Sequence, residues 1–206
     1  RLRMIHGQVS ECRELDELVG RSESVYHLAA SVGVARVMES AIRTIETNLR
    51  ETETILAAAG RHGTPLLFTS TSEVYGKSRR EAFDEEDDLL IGPPHLARWS
   101  YACSKLADEF LALAYGRERS LRVCVARLFN IVGPRQTGQH GMVLPRFIAA
   151  ALQGETIRVH GDGSQTRCFC FVTDAVEALV RLQRAPAAAG AVVNVGATEE
   201  ISILDL

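Results

Sequence analysis

The chain predicts an α/β fold built on a parallel sheet, and three observations carry that expectation. Short apolar runs, Pro65-Leu66-Leu67-Phe68 and Leu121 to Phe129, read as strands buried on both faces. Between them, Ala35 to Ala59 and Tyr101 to about Tyr115 keep apolar residues at helical spacing. The first run then ends in hydroxyls and an acid, Thr69-Ser70-Thr71-Ser72-Glu73. Open α/β sheets bind ligands beyond the carboxyl ends of their strands, so these groups face a site.

In chain order, Arg3 to His6 is a short strand candidate and Glu14 to Val19 a small helix. Ser24 to Ala30 reads as a strand running into a small-residue turn. The next helix presents Met38, Ala41, Ile42, Ile45, Leu49 and Leu56, with Asn48 interrupting its apolar side and Gly60 and Gly63 ending it. Gly76 to Pro94 is a charged loop long enough to be functional, and it is expected to lie over a substrate. The helix from Tyr101 is expected to pack through Leu106, Ala107, Phe110 and Leu113. A helix follows from Met142 to Leu152, a strand from Thr156 to His160, and a loop from Gly161 to Arg167. Strand Cys168 to Val172, helix Asp174 to Gln183 and strand Ala191 to Val195 complete the reading, and a helix is expected to begin where the chain stops at Leu206.

With 206 residues, 46% of them hydrophobic, the chain can bury a sizeable core as one domain with room for an appended lobe. A net charge of −3 without a basic stripe gives no support for nucleic acid or an anionic membrane as partner. No apolar run approaches the ~20 residues of a membrane span. The five cysteines are odd in number and scattered, which points to a reducing cytoplasm. Cys168 and Cys170 alternate with aromatics as in a strand, which puts both thiols on one face; with few other Cys or His nearby they read as packing residues rather than metal ligands.

The chemistry concentrates at Thr71, Glu73, Tyr101 and Lys105. Tyr101 and Lys105 stand four apart on one helix, so phenol and ammonium share a face and the cation favours the phenolate. A strand-end hydroxyl with Tyr-x-x-x-Lys on the following helix suits hydride transfer: the hydroxyl orients, the tyrosine moves the proton, and the lysine lowers the tyrosine pKa.

These residues resemble the extended short-chain dehydrogenase/reductase superfamily, the NAD-dependent epimerases, dehydratases and decarboxylases of nucleotide sugars. Thr71-Ser72-Glu73-Val74-Tyr75-Gly76, Phe83-Asp84-Glu85-Glu86 and Arg98-Trp99-x-Tyr101-x-x-Ser104-Lys105 are similar to the UDP-glucuronate decarboxylases. The resemblance implies a Rossmann-type domain over residues 1–133 and elements of a substrate-binding lobe over 134–206, interleaved with the last sheet strands. It implies NAD against Leu28, Ala29, Ala30, Asn48, Thr69, Tyr101, Lys105 and Phe129. It implies a UDP-sugar against Ser72, Asn130, Arg135 and Arg167, with Thr71, Glu73, Tyr101, Lys105 and Arg167 catalytic. It further implies a homodimer joined through a four-helix interface.

Glu73 decides among the reactions. Dehydratases of this superfamily carry Asp-Glu after the threonine; Ser72 stands at the Asp position here, which disfavours water elimination. Decarboxylation of UDP-glucuronate is the leading reading, with 4-epimerisation of a UDP-sugar or UDP-uronate as the alternative. A non-catalytic scaffold is the alternative of another class. The strand, Gly-rich turn and helix that open a dinucleotide fold are absent before His27, so the chain reads as the interior of a longer protein.

Overall fold

A computed structural model describes residues 2–32, 39–138 and 142–206. Its centre is a four-stranded sheet of β1 (Val25–His27), β2 (Leu66–Thr71), β3 (Val123–Leu128) and β7 (Val192–Val195), in the order β1-β2-β3-β7. Every pairing within it is parallel. The register sets His27 beside Phe68, Thr71 beside Leu128, and Leu128 beside Val195, so the carboxyl ends form one edge.

Strand alternation assigns the two faces. Leu66, Phe68, Val123 and Val125 point to one side, where Val19 of α1 (Leu15–Gly20), Ile55 and Leu56 of α2 (Ala41–His62) and Ala112 of α3 (Ser100–Arg119) cover them. Leu67, Ala126 and Val195 point to the other, under Ala175 and Leu179 of α4 (Val172–Arg184). Each fully buried aliphatic side chain contributes roughly 1.5–3 kcal/mol, so this helix–sheet–helix sandwich is the main source of stability.

The helices follow local rules. Ser40 caps α2, its hydroxyl accepting from the Arg43 amide at 3.2 Å, and Gly63 ends it at φ 65°, a left-handed conformation that glycine adopts without strain. Gly60, expected as a stop, lies inside the helix against the Tyr115 ring, where a Cβ would approach to 3.1 Å. The part of the expected helix that falls on residues 33–38 lies outside the described residues.

Several expected elements differ. Arg3 to His6 and Thr156 to His160 form no strand. The run Cys168 to Val172 is split at Phe169 into β5 (Thr166–Cys168) and β6 (Cys170–Phe171). The strand β6 pairs in parallel with β4 (Ile131–Val132), and β5 pairs antiparallel with β8 (Glu200–Ser202). Cys168 and Cys170 therefore belong to different sheets. The chain ends in β8 and a turn rather than at the start of a helix.

The largest difference is the face that α3 buries. Leu106 and Leu113 are only partly buried, Ala107 is exposed and Phe110 is 64% exposed, while Tyr101, Ser104, Lys105, Asp108 and Glu109 turn inward. Ion pairs and hydrogen bonds within the site offset much of the cost of burying polar groups on that face, as between Lys105 and Asp108 and between Glu109 and Arg127.

Candidate active site

Beyond the carboxyl edge of the sheet, β2 runs directly into the short 3-10 turn Ser72–Tyr75. Thr71 caps that turn, its hydroxyl accepting from the Glu73 amide at 3.3 Å. The same side chain faces the Tyr101 phenol closely enough to draw its pKa down. Gly76 closes the turn at φ 62° with Leu90 packed close; a Cβ would come within 2.3 Å of the Leu90 carbonyl. Only glycine fits there.

Tyr101 is 7% exposed, and its phenol is held well above the ordinary tyrosine range, first by burial and then by the Glu73 carboxylate. The Thr71 hydroxyl works in the other direction. The influences on the phenol come from burial, Glu73, Thr71 and Asp108. The Lys105 ammonium stands 3.8 Å from the Phe68 ring centroid and 3.5 Å from Asp108 Oδ2, which turns its charge toward those groups. Burial lowers Lys105 to about 8, with Asp108 opposing that fall.

Glu73 is exposed on one side and packed against protein on the other. Burial raises its carboxyl pKa and the nearby Arg98 lowers it. Its side chain lines a pocket of about 360 Å³ together with Asn130, Arg146, Arg158, His160 and Arg167. Asn130 adopts a left-handed φ of 38° and donates from Nδ2 to the Cys168 carbonyl at 3.1 Å, and the Arg167 guanidinium donates to the Thr166 carbonyl at 2.6 Å. Residues from opposite ends of the chain thus meet in a cavity with three guanidinium groups. Ser72 and Arg135 do not line it. Arg135 is exposed in the turn after Pro134, at a φ of 69°.

A second cleft, of about 550 Å³, opens beside the end of β1 and is lined by Gly7, Gln8, Ala29, Ala30, Ser31 and the first turns of α2. Leu28 is exposed but lies outside that lining. Asn48 is buried and holds the wall. Its Oδ1 accepts from the Ser31 amide at 2.7 Å, and its Nδ2 donates to Ser104 Oγ at 3.0 Å. Thr69 ties β2 to β1 by donating to the His27 carbonyl at 3.2 Å.

Sequence reasoning missed a buried network behind the site. Arg127, one residue before the carboxyl end of β3, makes a multidentate pair with Glu109 of α3, at 2.8 Å from Nη2 to Oε2, and donates to the Tyr75 hydroxyl at 3.0 Å. The Tyr75 hydroxyl donates to Asn194 Oδ1, the Asn194 amide to Glu85, and Phe83 stacks on the Tyr75 ring at 4.5 Å. Phe129 packs against both rings. These contacts fasten the Phe83–Glu85 part of the 76–94 loop to the sheet. No residue of that loop lines the 360 Å³ pocket. An arginine inside an apolar strand was the available signal, since such a cation needs an anion nearby.

Comparison with known proteins places this architecture. The profile of the NAD dependent epimerase/dehydratase family matches residues 1–196. The chain belongs to that family. It is 46% identical over 193 residues to a UDP-N-acetyl-alpha-D-glucosaminuronate decarboxylase of Bacillus cytotoxicus, covering 93% of this chain and 59% of that protein. It is 38% identical over 188 residues to UDP-glucuronic acid decarboxylase 1 of Danio rerio, covering 89% of this chain and 43% of that protein. Among solved structures, UDP-glucuronic acid 4-epimerase from Bacillus cereus, in complex with UDP-glucuronic acid and NAD, superposes with a TM-score of 0.84 at 30% identity. That alignment covers 97% of this chain and 61% of the epimerase. The chain therefore spans between about two fifths and three fifths of these relatives.

NAD is the cofactor of the family, and one flank of a dinucleotide fits the second cleft. Small side chains at Ala29 and Ala30 admit a flat ligand to the backbone there. Among the described residues no Gly-rich turn stands ready for its pyrophosphate. No described helix is long and apolar enough to cross a membrane.

Proposed function

We propose that this chain carries the C4-oxidising and decarboxylating centre of a UDP-uronate decarboxylase, with UDP-glucuronate as substrate. The observation that carries the reading is the convergence of Glu73 and Arg167 on one pocket with Asn130, next to Tyr101 and Thr71. Residues 1–133 form the cofactor domain and 134–206 supply elements of the substrate lobe. Leu28, Ala29, Ala30, Asn48, Thr69 and Phe129 face or brace the cofactor.

Tyr101 takes the proton of the sugar 4-hydroxyl while Thr71 orients that oxygen. NAD, when bound, supplies the acceptor for the hydride leaving C4. Burial disfavours the phenolate, so Tyr101 acts as a base only where positive charge compensates it. Lys105, one turn further along α3, is the cation that this reading assigns to that task. Oxidation at C4 makes the uronate a β-keto acid. Its C5–C6 bond breaks, CO2 leaves, and the electron pair delocalises onto the C4 oxygen as an enolate. Arg167 holds the carboxylate, Asn130 the diphosphate, and Glu73 directs the carboxylate or the proton that returns to C5.

The 46% identity to an N-acetylglucosaminuronate decarboxylase favours a 2-acetamido uronate as the competing substrate. The likeness to a 4-epimerase supports the alternative reaction, in which hydride returns to the other face of the ketone and the carboxylate stays. A homodimer through α2 and α3 draws support from the outward Ile42 and Phe110, which are 71% and 64% exposed.

The test supplies the full-length protein with NAD and either UDP-uronate. Release of CO2 with formation of a UDP-pentose, or of its 4-keto form, is expected. Glu73→Gln should slow CO2 loss more than the first hydride transfer, visible as a burst of enzyme-bound NADH. Conversion of UDP-glucuronate to UDP-galacturonate alone would establish the epimerase and remove Glu73 from the mechanism.

A further inference from the structure

Lys105 has an unusual setting for a cation. It is 2% exposed, and Asp108, one helical turn further along α3, is fully buried at 3.5 Å. At that distance the contact is an ion pair, and neither Asp108 oxygen has a hydrogen-bond partner. A carboxylate enclosed by protein with no donor is costly to keep unless a charge compensates it. The other acid on the same face is already committed, because Glu109 is bound by Arg127 through Nε and Nη2.

The remaining groups facing the pair are neutral or turned elsewhere. His27, from the end of β1, is buried with Nε2 at 3.3 Å from Thr52 Oγ1, and burial with the Lys105 charge lowers it to about 4. Asn48 and Thr52 of α2 carry no charge; Thr52 also draws the Asp108 carboxyl down, from a position short of hydrogen-bond geometry. Phe68 of β2 offers its ring face to the ammonium. Glu73 lies on the Tyr101 side of the site. Among the described residues, Asp108 is the uncommitted anion beside Lys105.

We propose that Asp108 is a positioning residue for Lys105, a buried counter-ion that keeps the ammonium charged and fixes its place over the Phe68 ring, one helical turn from Tyr101. The proposal rests on the C4-oxidation reading for its kinetic consequence but not for the ion pair itself. Lys105 sits at about 8, burial lowering it and Asp108 raising it. Its charge is complete below that pH and is lost as pH rises through it. Removing the Asp108 charge leaves burial unopposed, so the proton is lost at lower pH.

Two measurements on the full-length protein test this. In the first, Asp108→Asn should move the alkaline limb of turnover down by about one pH unit or more, the usual effect of deleting an opposite charge at this range. The KM for the nucleotide sugar should stay unchanged, and D108E should bring the limb back toward its original position. In the second, K105M should unfold at lower urea than K105M/D108N at pH 8, because the single variant strands a buried carboxylate. That comparison needs no turnover, so it decides the pair even if no uronate is converted and the functional reading falls. An unmoved alkaline limb in folded D108N, or a double variant no more stable than K105M, overturns the assignment.

Discussion

Asn48 and Ser104 join the two long helices of the site: the buried amide donates to the serine hydroxyl across 3.0 Å, one residue before Lys105. The same amide oxygen holds the backbone of Ser31 at the rim of the second cleft. Asn48→Ala leaves the Ser31 amide without this acceptor and should cost about 1–3 kcal/mol. Urea unfolding reads the loss, and amide exchange at Ser31 should accelerate. An unchanged midpoint would show that Asn48 braces nothing.

Tyr101→Phe keeps the ring, which is buried between Thr71 and the Glu73 side of the site, and removes the proton carrier. Turnover should fall by ~10²–10⁴, the usual contribution of a general acid–base group, with nucleotide binding by calorimetry retained. Near wild-type turnover would take the phenol out of the mechanism.

Arg127→Met breaks a pair in which both side chains are almost wholly buried. Stranding Glu109 should cost about 3–5 kcal/mol, and R127M/E109L should recover much of it. The clasp on Phe83 and Glu85 loosens as well, so trypsin should cut faster at Lys77, Arg79 and Arg80 in R127M than in the parent. Equal cutting rates would mean that Arg127 does not hold the loop.

His27 gives the protein a stability that depends on acidity. Its folded pKa of about 4 lies below the ordinary 6.5, because burial and Lys105 oppose its protonation. That contribution is fully present above 6.5 and is lost as pH falls through about 4, amounting to a few kcal/mol. Asp108 works the other way, since burial raises it to about 6 and its protonation relieves the fold below that pH. The comparison of H27Q with the parent isolates the histidine: the gap in urea midpoint should shrink or reverse between pH 6.5 and pH 4. A constant gap across that range would show that His27 titrates alike in the folded and unfolded states.

Much of this was legible in the sequence because the central sheet announces itself. Leu66-Leu67-Phe68 and Val123 to Leu128 are short, apolar and bounded, and each became a buried strand. The hydroxyls after Phe68 marked the edge where Thr71, Glu73 and Tyr101 meet. The inward face of α3 was not legible, because apolar periodicity selects Ala107 and Phe110, whereas the site requires Tyr101 and Lys105 inside. Asp108 and Glu109 follow them in to balance Lys105 and Arg127. The Lys105–Asp108 spacing of three was the readable sign, as oppositely charged residues at that interval share a helix face. The two- and three-residue strands β4, β5, β6 and β8 lie below the length at which alternation can be recognised.

The Tyr75 hydroxyl reaches Asn194, 119 residues along the chain. During synthesis from the amino terminus, the segment bearing Tyr101 and Lys105 emerges well before β7 does. The Phe83–Glu85 stretch then has no Asn194 to fasten to, and Arg127 has only part of its set of partners. Contacts of such long sequence separation are among the slow ones to form. In a pulse of refolding, protection at β2 and β3 should therefore rise first and the closure over Tyr75 last. Tyr101 and Lys105 thus stand on a part of the molecule expected to form early, and the fastening behind them is the step expected to complete the native state.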